Sequence, residues 1–223
     1  MNGITLTLMK LDDELKECMD MEVETMGLTQ LEDIRMQYLL NENNAKIVQE
    51  IVTAIHANAN LLSQIDGETG DGDHGVNMNK GFLMAGERIS DEDSFSEALK
   101  TLGRTLVMDI GGSMGPIYGT FFSKLSKTFK GEGRITSDLF EKAVLNAKEG
   151  LMDLAGAQPG DKTLVDTVVP AYEAFKAANA EGKEFSECLN ALKEGAEKGK
   201  ESTKDMVAKI GRAAVWEKEV RVI

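Results

Sequence analysis

Hydrophobic positions recur along this chain with a helical period. Ile47, Ile51, Ile55 and Leu62 fall on one face of a helix, as do Phe95, Leu99, Leu102 and Leu106. The spacing returns at Ile117, Phe121, Leu125 and Phe129, and at Leu139, Ala143, Ala147 and Leu151. It returns twice more, at Leu164, Val168, Tyr172 and Phe175 and at Leu189, Leu192 and Ala196. Each stripe predicts an amphipathic helix with one buried face. Ser94-x-x-Glu97 reads as a capping box and Thr163-x-x-Asp166 as a related helix start, since both can satisfy first-turn N–H groups. The alternation expected of strands is confined to Ile4 to Leu8 and to Val220 to Ile223, and neither segment could build a sheet alone. The pattern predicts an all-α fold.

Three glycine-bearing breaks interrupt the helices, at Gly67 to Gly75, Gly111 to Gly119 and Gly156 to Thr163, about 40 to 45 residues apart. That interval suits two antiparallel helices, so an up-and-down arrangement returns all three breaks to one end of a bundle. Residues 1–40 differ in character, acidic and Met-rich around Leu11 to Met26. They are read as an N-terminal extension, either an added helix, which is the preferred reading, or a mobile arm, preceding a helical domain over residues 41–223.

The chain has 223 residues, 42% of them apolar, enough for one core and against wholesale disorder. It contains no apolar run near the roughly 18 residues that span a bilayer, and a soluble, cytoplasmic protein is expected. With 38 acidic against 25 basic residues the net charge is −13. That balance excludes nucleic acid or an anionic membrane as a broad-surface partner, and an anionic ligand would need a local metal, helix N-terminus or glycine loop. Cys18 and Cys188 make no disulfide framework and no Cys-x-x-Cys pair, which fits a reducing compartment. With only His56 and His74, a multi-histidine zinc site is excluded unless a partner contributes ligands.

The run from Asp66 to Gly75 places Asp66, Glu68, Asp71, Asp73 and His74 among four glycines. A solvated acidic turn is the plain reading of a lone Asp-Gly-Asp. The glycines, however, allow a backbone tight enough for Asp66, Asp71 and Asp73 to converge. Two carboxylates about 4 Å apart repel by roughly 4 kcal/mol at an effective dielectric near 20, and a bound cation removes that penalty. Hard oxygen donors suit Mg²⁺ or Ca²⁺. An EF-hand loop begun at Asp71 fails, because Val76 stands at its glycine position and Phe82 at its bidentate glutamate.

The second break, Ile110 to Gly119, opens the helix carrying Phe121 and Leu125. Its N–H groups and that helix's positive end can cradle phosphate; alternatively Gly111, Gly112 and Gly115 let two helices pack closely. It is neither a Walker A loop nor a Gly-x-Gly-x-x-Gly fingerprint. The third break, Gly156 to Thr163, reads alone as a turn and helix cap.

Taken together, Gly70-Asp71-Gly72-Asp73-His74-Gly75-x-Asn77, then Gly111-Gly112-x-x-Gly115-Pro116-x-Tyr118-Gly119, then Pro159-Gly160-Asp161-Lys162-Thr163 closely resemble the nucleotide-binding L subunit of dihydroxyacetone kinases, over about residues 40 to 214. The resemblance implies an antiparallel eight-helix barrel with a nucleotide at one end. It implies that a phosphocarrier (M-type) protein of the phosphotransferase system passes a phosphoryl group to held ADP. The ATP so formed then phosphorylates dihydroxyacetone on a separate K subunit. Asp66, Asp71 and Asp73 would hold Mg²⁺, as two ions, against the phosphates. His74, Gly75 and Asn77 would contact the nucleotide, and Gly112, Ser113, Met114 and Gly115 the phosphates. Ala155, Gly156 and Leu164 would lie near adenine with Thr163 in the same binding set, and Arg212 would approach from the C-terminal side. A homodimer and a transcriptional regulator are further partners to consider. The resemblance assigns no general base to this chain, since metal and loop supply most of what phosphoryl transfer requires.

Two departures stand out. Met114 replaces the usual Ser, and a closing Asp-Pro-Gly-Ala segment is missing after Gly211-Arg212-Ala213. Weaker nucleotide retention is therefore expected, or cover from Trp216, the N-terminal extension or a partner; Trp216 stacks on the nucleotide in one reading and packs on a neighbouring helix in the other. Competing functions are an ATP-dependent kinase subunit for another small ketose such as a tetrulose, a non-catalytic nucleotide-binding regulator, and a scaffold with a degenerate site. The intact aspartate trio argues against the last.

Overall fold

The computed structural model describes residues 38–68, 70–211 and 214. In chain order the elements are β1 (Tyr38–Leu40), α1 (Lys46–Gly67), α2 (His74–Gly86), α3 (Phe95–Asp109), α4 (Met114–Phe129), β2 (Arg134–Thr136), α5 (Ser137–Ala155), α6 (Val165–Ala180) and α7 (Phe185–Ser202), then a 3₁₀ turn at Thr203–Asp205. The fold is all-α, as the periodicity predicts. The described residues hold seven α-helices rather than the eight expected. Residues 1–37 and the Val220 to Ile223 strand lie outside the described residues, as does Cys18; Cys188 is a buried free thiol. Among the described residues no helix is long and apolar enough to cross a membrane.

Helices pack mostly against their neighbours in sequence: α1 on α2, α3 on α4, α4 on α5 and α6 on α7. The stripes read from the sequence face inward. Ile47, Ile51, Ile55 and Leu62 of α1 and Phe95, Leu99, Leu102 and Leu106 of α3 are all buried. Phe95, Phe129, Phe140, Phe175 and Phe185 meet ring to ring, with centroids 5.2–6.3 Å apart. Each such ring contributes about 1.5–3 kcal/mol through burial. Around them the inward faces of α1 and of α3 to α7 enclose an apolar cavity of about 90 Å³.

The predicted Ser94–Glu97 box is present: the Ser94 hydroxyl accepts from Glu97 N–H at 3.2 Å and the Glu97 carboxylate from Ser94 N–H at 3.0 Å. Helix α5 stops at Gly156, whose φ of 58° suits a residue lacking Cβ.

The only β-pairing among the described residues was not anticipated. Leu39 stands opposite Ile135 in an antiparallel pair, and both are buried. Asn41 follows and satisfies a buried seam, donating to the Phe129 and Glu132 carbonyls and accepting from Ser96 N–H. Tyr38–Leu40 therefore packs with the helical domain, next to the expected boundary at residue 40.

Candidate functional site

The three glycine breaks meet at one end of the bundle. His74, at the head of α2, places Nε2 3.3 Å from the Tyr118 hydroxyl on α4, which joins the first break to the second. Ile117, Leu164 and Ile210 pack on Leu151, Ala157, Val165 and Val168, which joins the second break to the third and to the C-terminal segment.

At the first break, carboxylate oxygens of Asp66, Asp71 and Asp73 all lie within 4.8 Å of one another. Asp66 is half-buried at the end of α1; Asp71 and Asp73 are exposed in the turn that leads to α2. The turn holds them together sterically. A Cβ on Gly70 would stand 2.8 Å from Asp66 Oδ1, and one on Gly75 only 1.9 Å from the Ala59 carbonyl. The α2 dipole partly offsets the carboxylate repulsion: Asp66 Oδ2 accepts from His74 N–H at 3.3 Å, and Asp73 is the residue preceding that helix. Asn77 Nδ2 donates to Asp73 Oδ2 at 2.9 Å. Three convergent carboxylates are a hard-oxygen donor set that fits a divalent cation such as Mg²⁺. Burial lowers the pKa of the His74 imidazole against the pull of Asp66 and Asp73, while burial and Asp66 push the Tyr118 phenol well up.

At the second break the two readings divide residue by residue. Added Cβ atoms at Gly111 and Gly112 would meet nothing within 4 Å, and both residues are exposed with Ser113. Gly115 instead serves packing, since a Cβ there would lie 2.4 Å from the Ile110 carbonyl. The Ser113 side chain makes no capping hydrogen bond to α4, so among the described residues the first-turn N–H groups beside the Gly111–Ser113 turn are left without that partner, with Met114 half-buried.

The third break supplies the flank. Ala155 and Gly156 are exposed, and Thr163 and Leu164 are half-buried. The Thr163-x-x-Asp166 start is only half a box: Asp166 accepts from Thr163 N–H, while the Thr163 hydroxyl accepts from Val165 N–H. Arg212 and Trp216 lie outside the described residues. Two residues of this end are not recognisable as site residues from the sequence. Tyr118 stood within the quoted motif, but nothing local signals a partner 44 positions away. Asp166 looked like a cap, and its burial is a tertiary fact.

Residues 68–223 match the DAK2 domain. The ADP-binding subunit DhaL of the PEP-dependent dihydroxyacetone kinase of Escherichia coli K12 is 34% identical over 156 residues, covering 69% of this chain and 74% of that protein. A DhaL subunit of PEP-dependent dihydroxyacetone kinase 2 from Listeria innocua is 30% identical over 75% of this chain and 79% of its own length. The D-erythrulose kinase of Mycolicibacterium smegmatis is 31% identical over 68% of this chain, which spans 27% of that longer protein. Because the match begins at Glu68 and carries the carboxylates at 71 and 73 into the helices behind them, the chain belongs to the DAK2 domain family.

Proposed function

We propose that this chain is the ADP/ATP-binding subunit of a cytoplasmic ketose kinase. In this reading it relays a phosphoryl group from a phosphocarrier protein to dihydroxyacetone held on a separate K subunit. The observation that carries the reading is the convergence of Asp66, Asp71 and Asp73 within 4.8 Å beside the uncapped start of α4. Similarity to ADP-binding subunits of dihydroxyacetone kinases supports it.

The three carboxylates would hold Mg²⁺, as two ions, and the Gly112–Gly115 turn would accept phosphate oxygens on backbone N–H groups. When bound, the magnesium–nucleotide pair supplies the transferable phosphoryl group and neutralises its charge. The side chains position the ligand: His74 stands beside the trio and is steadied by Tyr118. Ala155, Gly156, Thr163 and Leu164 would border the base, with Arg212 closing from the C-terminal side.

A second reading, an ATP-dependent erythrulose kinase subunit, is favoured by the similarity to D- and L-erythrulose kinases. Reconstitution with K-type partners, offering ATP and phosphocarrier separately as donors and dihydroxyacetone and erythrulose as acceptors, tests both. ADP that survives dialysis and turnover with the phosphocarrier support the first reading. Turnover with ATP alone, on erythrulose, supports the second.

A further inference from the structure

Asp166 is a buried acid, 4% exposed, at the second position of α6. Its two carboxylate oxygens face back along the chain and divide between two backbone donors. Oδ1 accepts from Gly160 N–H at 2.5 Å and Oδ2 from Thr163 N–H at 2.7 Å. Between these donors Lys162 takes a left-handed conformation at φ 59°, costly for a residue with a side chain, and Gly160 stands at φ 93°. The loop is bent against its own preference, and the buried carboxylate holds the bend.

Behind it, Asp166 itself is fixed. Pro170 has no N–H to give the Asp166 carbonyl, and α7 closes on that bare carbonyl through Gly199, where a Cβ would lie 2.3 Å away. In front, the loop reaches the C-terminal segment: Lys209 N–H donates to the Asp161 carbonyl at 3.2 Å, and Ile210 joins the same apolar cluster as Ala157 and Leu164. That cluster abuts Ile117 in the first turn of α4, whose next residue, Tyr118, faces His74.

We infer that Asp166 is a positioning residue: by clamping Gly160 and Thr163 it holds the 156–164 loop and the Lys209–Ile210 segment as one rigid wall, against which the nucleoside end of the ligand rests. The inference rests on the nucleotide-binding reading above. The wall meets α4 at Ile117, one residue from the Tyr118 that faces His74, and in this inference it governs the nucleoside and leaves the phosphates to the trio and the 111–115 turn.

An Asp166→Asn amide keeps the volume but presents one acceptor and one donor, so one of the two N–H groups loses its partner. Calorimetric titration of the full chain with Mg²⁺–ADP and with Mg²⁺–pyrophosphate separates the two ends of the ligand. D166N is expected to weaken ADP by roughly tenfold or more, with pyrophosphate within about twofold of the unchanged protein. Helix content by circular dichroism should stay the same. Equal loss of both ligands at intact helix content, or no loss of ADP, would overturn the inference. If the amide prevents folding, G160A decides: it strains the loop at φ 93°, with its methyl only in ordinary contact with Lys209 Nζ at 3.5 Å, and must show the same selective loss. An unchanged protein that binds pyrophosphate and ADP equally well would remove the nucleoside wall, whereas one that binds neither would remove the nucleotide reading itself.

Discussion

The Tyr118 hydroxyl meets Nε2 of His74 at 3.3 Å, with the two rings edge to face at 6.0 Å, so one contact fastens the head of α2 to α4 where the glycine breaks meet. Tyr118→Phe keeps the ring and removes the oxygen. It is expected to cost about 1 kcal/mol in denaturant unfolding and to weaken Mg²⁺–ADP several-fold by calorimetry, because the imidazole loses its orientation. Full affinity in this variant would show that the pair only packs.

Glycines of the second break separate into two kinds under substitution. Gly115→Ala forces a methyl to 2.4 Å from the Ile110 carbonyl and is expected to destabilise by about 1–3 kcal/mol. Gly111→Ala meets open space and should leave thermal stability within about 0.5 kcal/mol. Paired melting curves check both, and equal costs would contradict the division.

Acid unfolding should report the Ser94 cap. Hydrogen bonds from the Ser94 N–H and hydroxyl hold the Glu97 carboxyl below its ordinary pKa. A group depressed on folding stabilises the protein above its unfolded pKa, about 4.3, and that contribution fades as pH falls through the folded value. Glu97→Gln, which removes the titrating group, should therefore show a flatter loss of stability below pH ~4.5 than the unchanged protein. A parallel pair of stability–pH curves would refute the linkage.

In the aromatic core, Phe175→Ala removes a fully buried ring that meets Phe140 at 5.2 Å and Phe185 at 6.3 Å. A loss of about 3–5 kcal/mol is expected by urea unfolding, with Mg²⁺–ADP affinity of the folded fraction unchanged. A fall in affinity would couple the core to the site.

Much of this arrangement was legible because it is local. The stripe Phe95, Leu99, Leu102, Leu106 marks α3, Ser94 and Glu97 mark its start, and the glycines mark where the chain turns. The aspartate cluster was visible because its members lie within eight residues of one another. What escaped depends on contacts between distant segments. Leu39 pairs with Ile135 through strands of three residues, too short to show a period. Gly103 and Gly119 approach across α3 and α4 until a Cβ on Gly119 would stand 2.6 Å from the Gly103 carbonyl, yet in sequence Gly103 resembles an ordinary helix-interior glycine and Gly119 only the last glycine of the second break. Asp166 reads as a helix cap until the loop it clamps is seen folded back over it.

The central claim is that Asp66, Asp71 and Asp73 act together through a shared divalent ion. Calorimetric titration of ADP into the full chain with and without Mg²⁺, repeated on Asp71→Asn, tests it most directly. The account predicts Mg²⁺-dependent binding in the unchanged protein and its loss in the variant, at the same helix content. Tight ADP binding by Asp71→Asn, or binding indifferent to Mg²⁺, would contradict it.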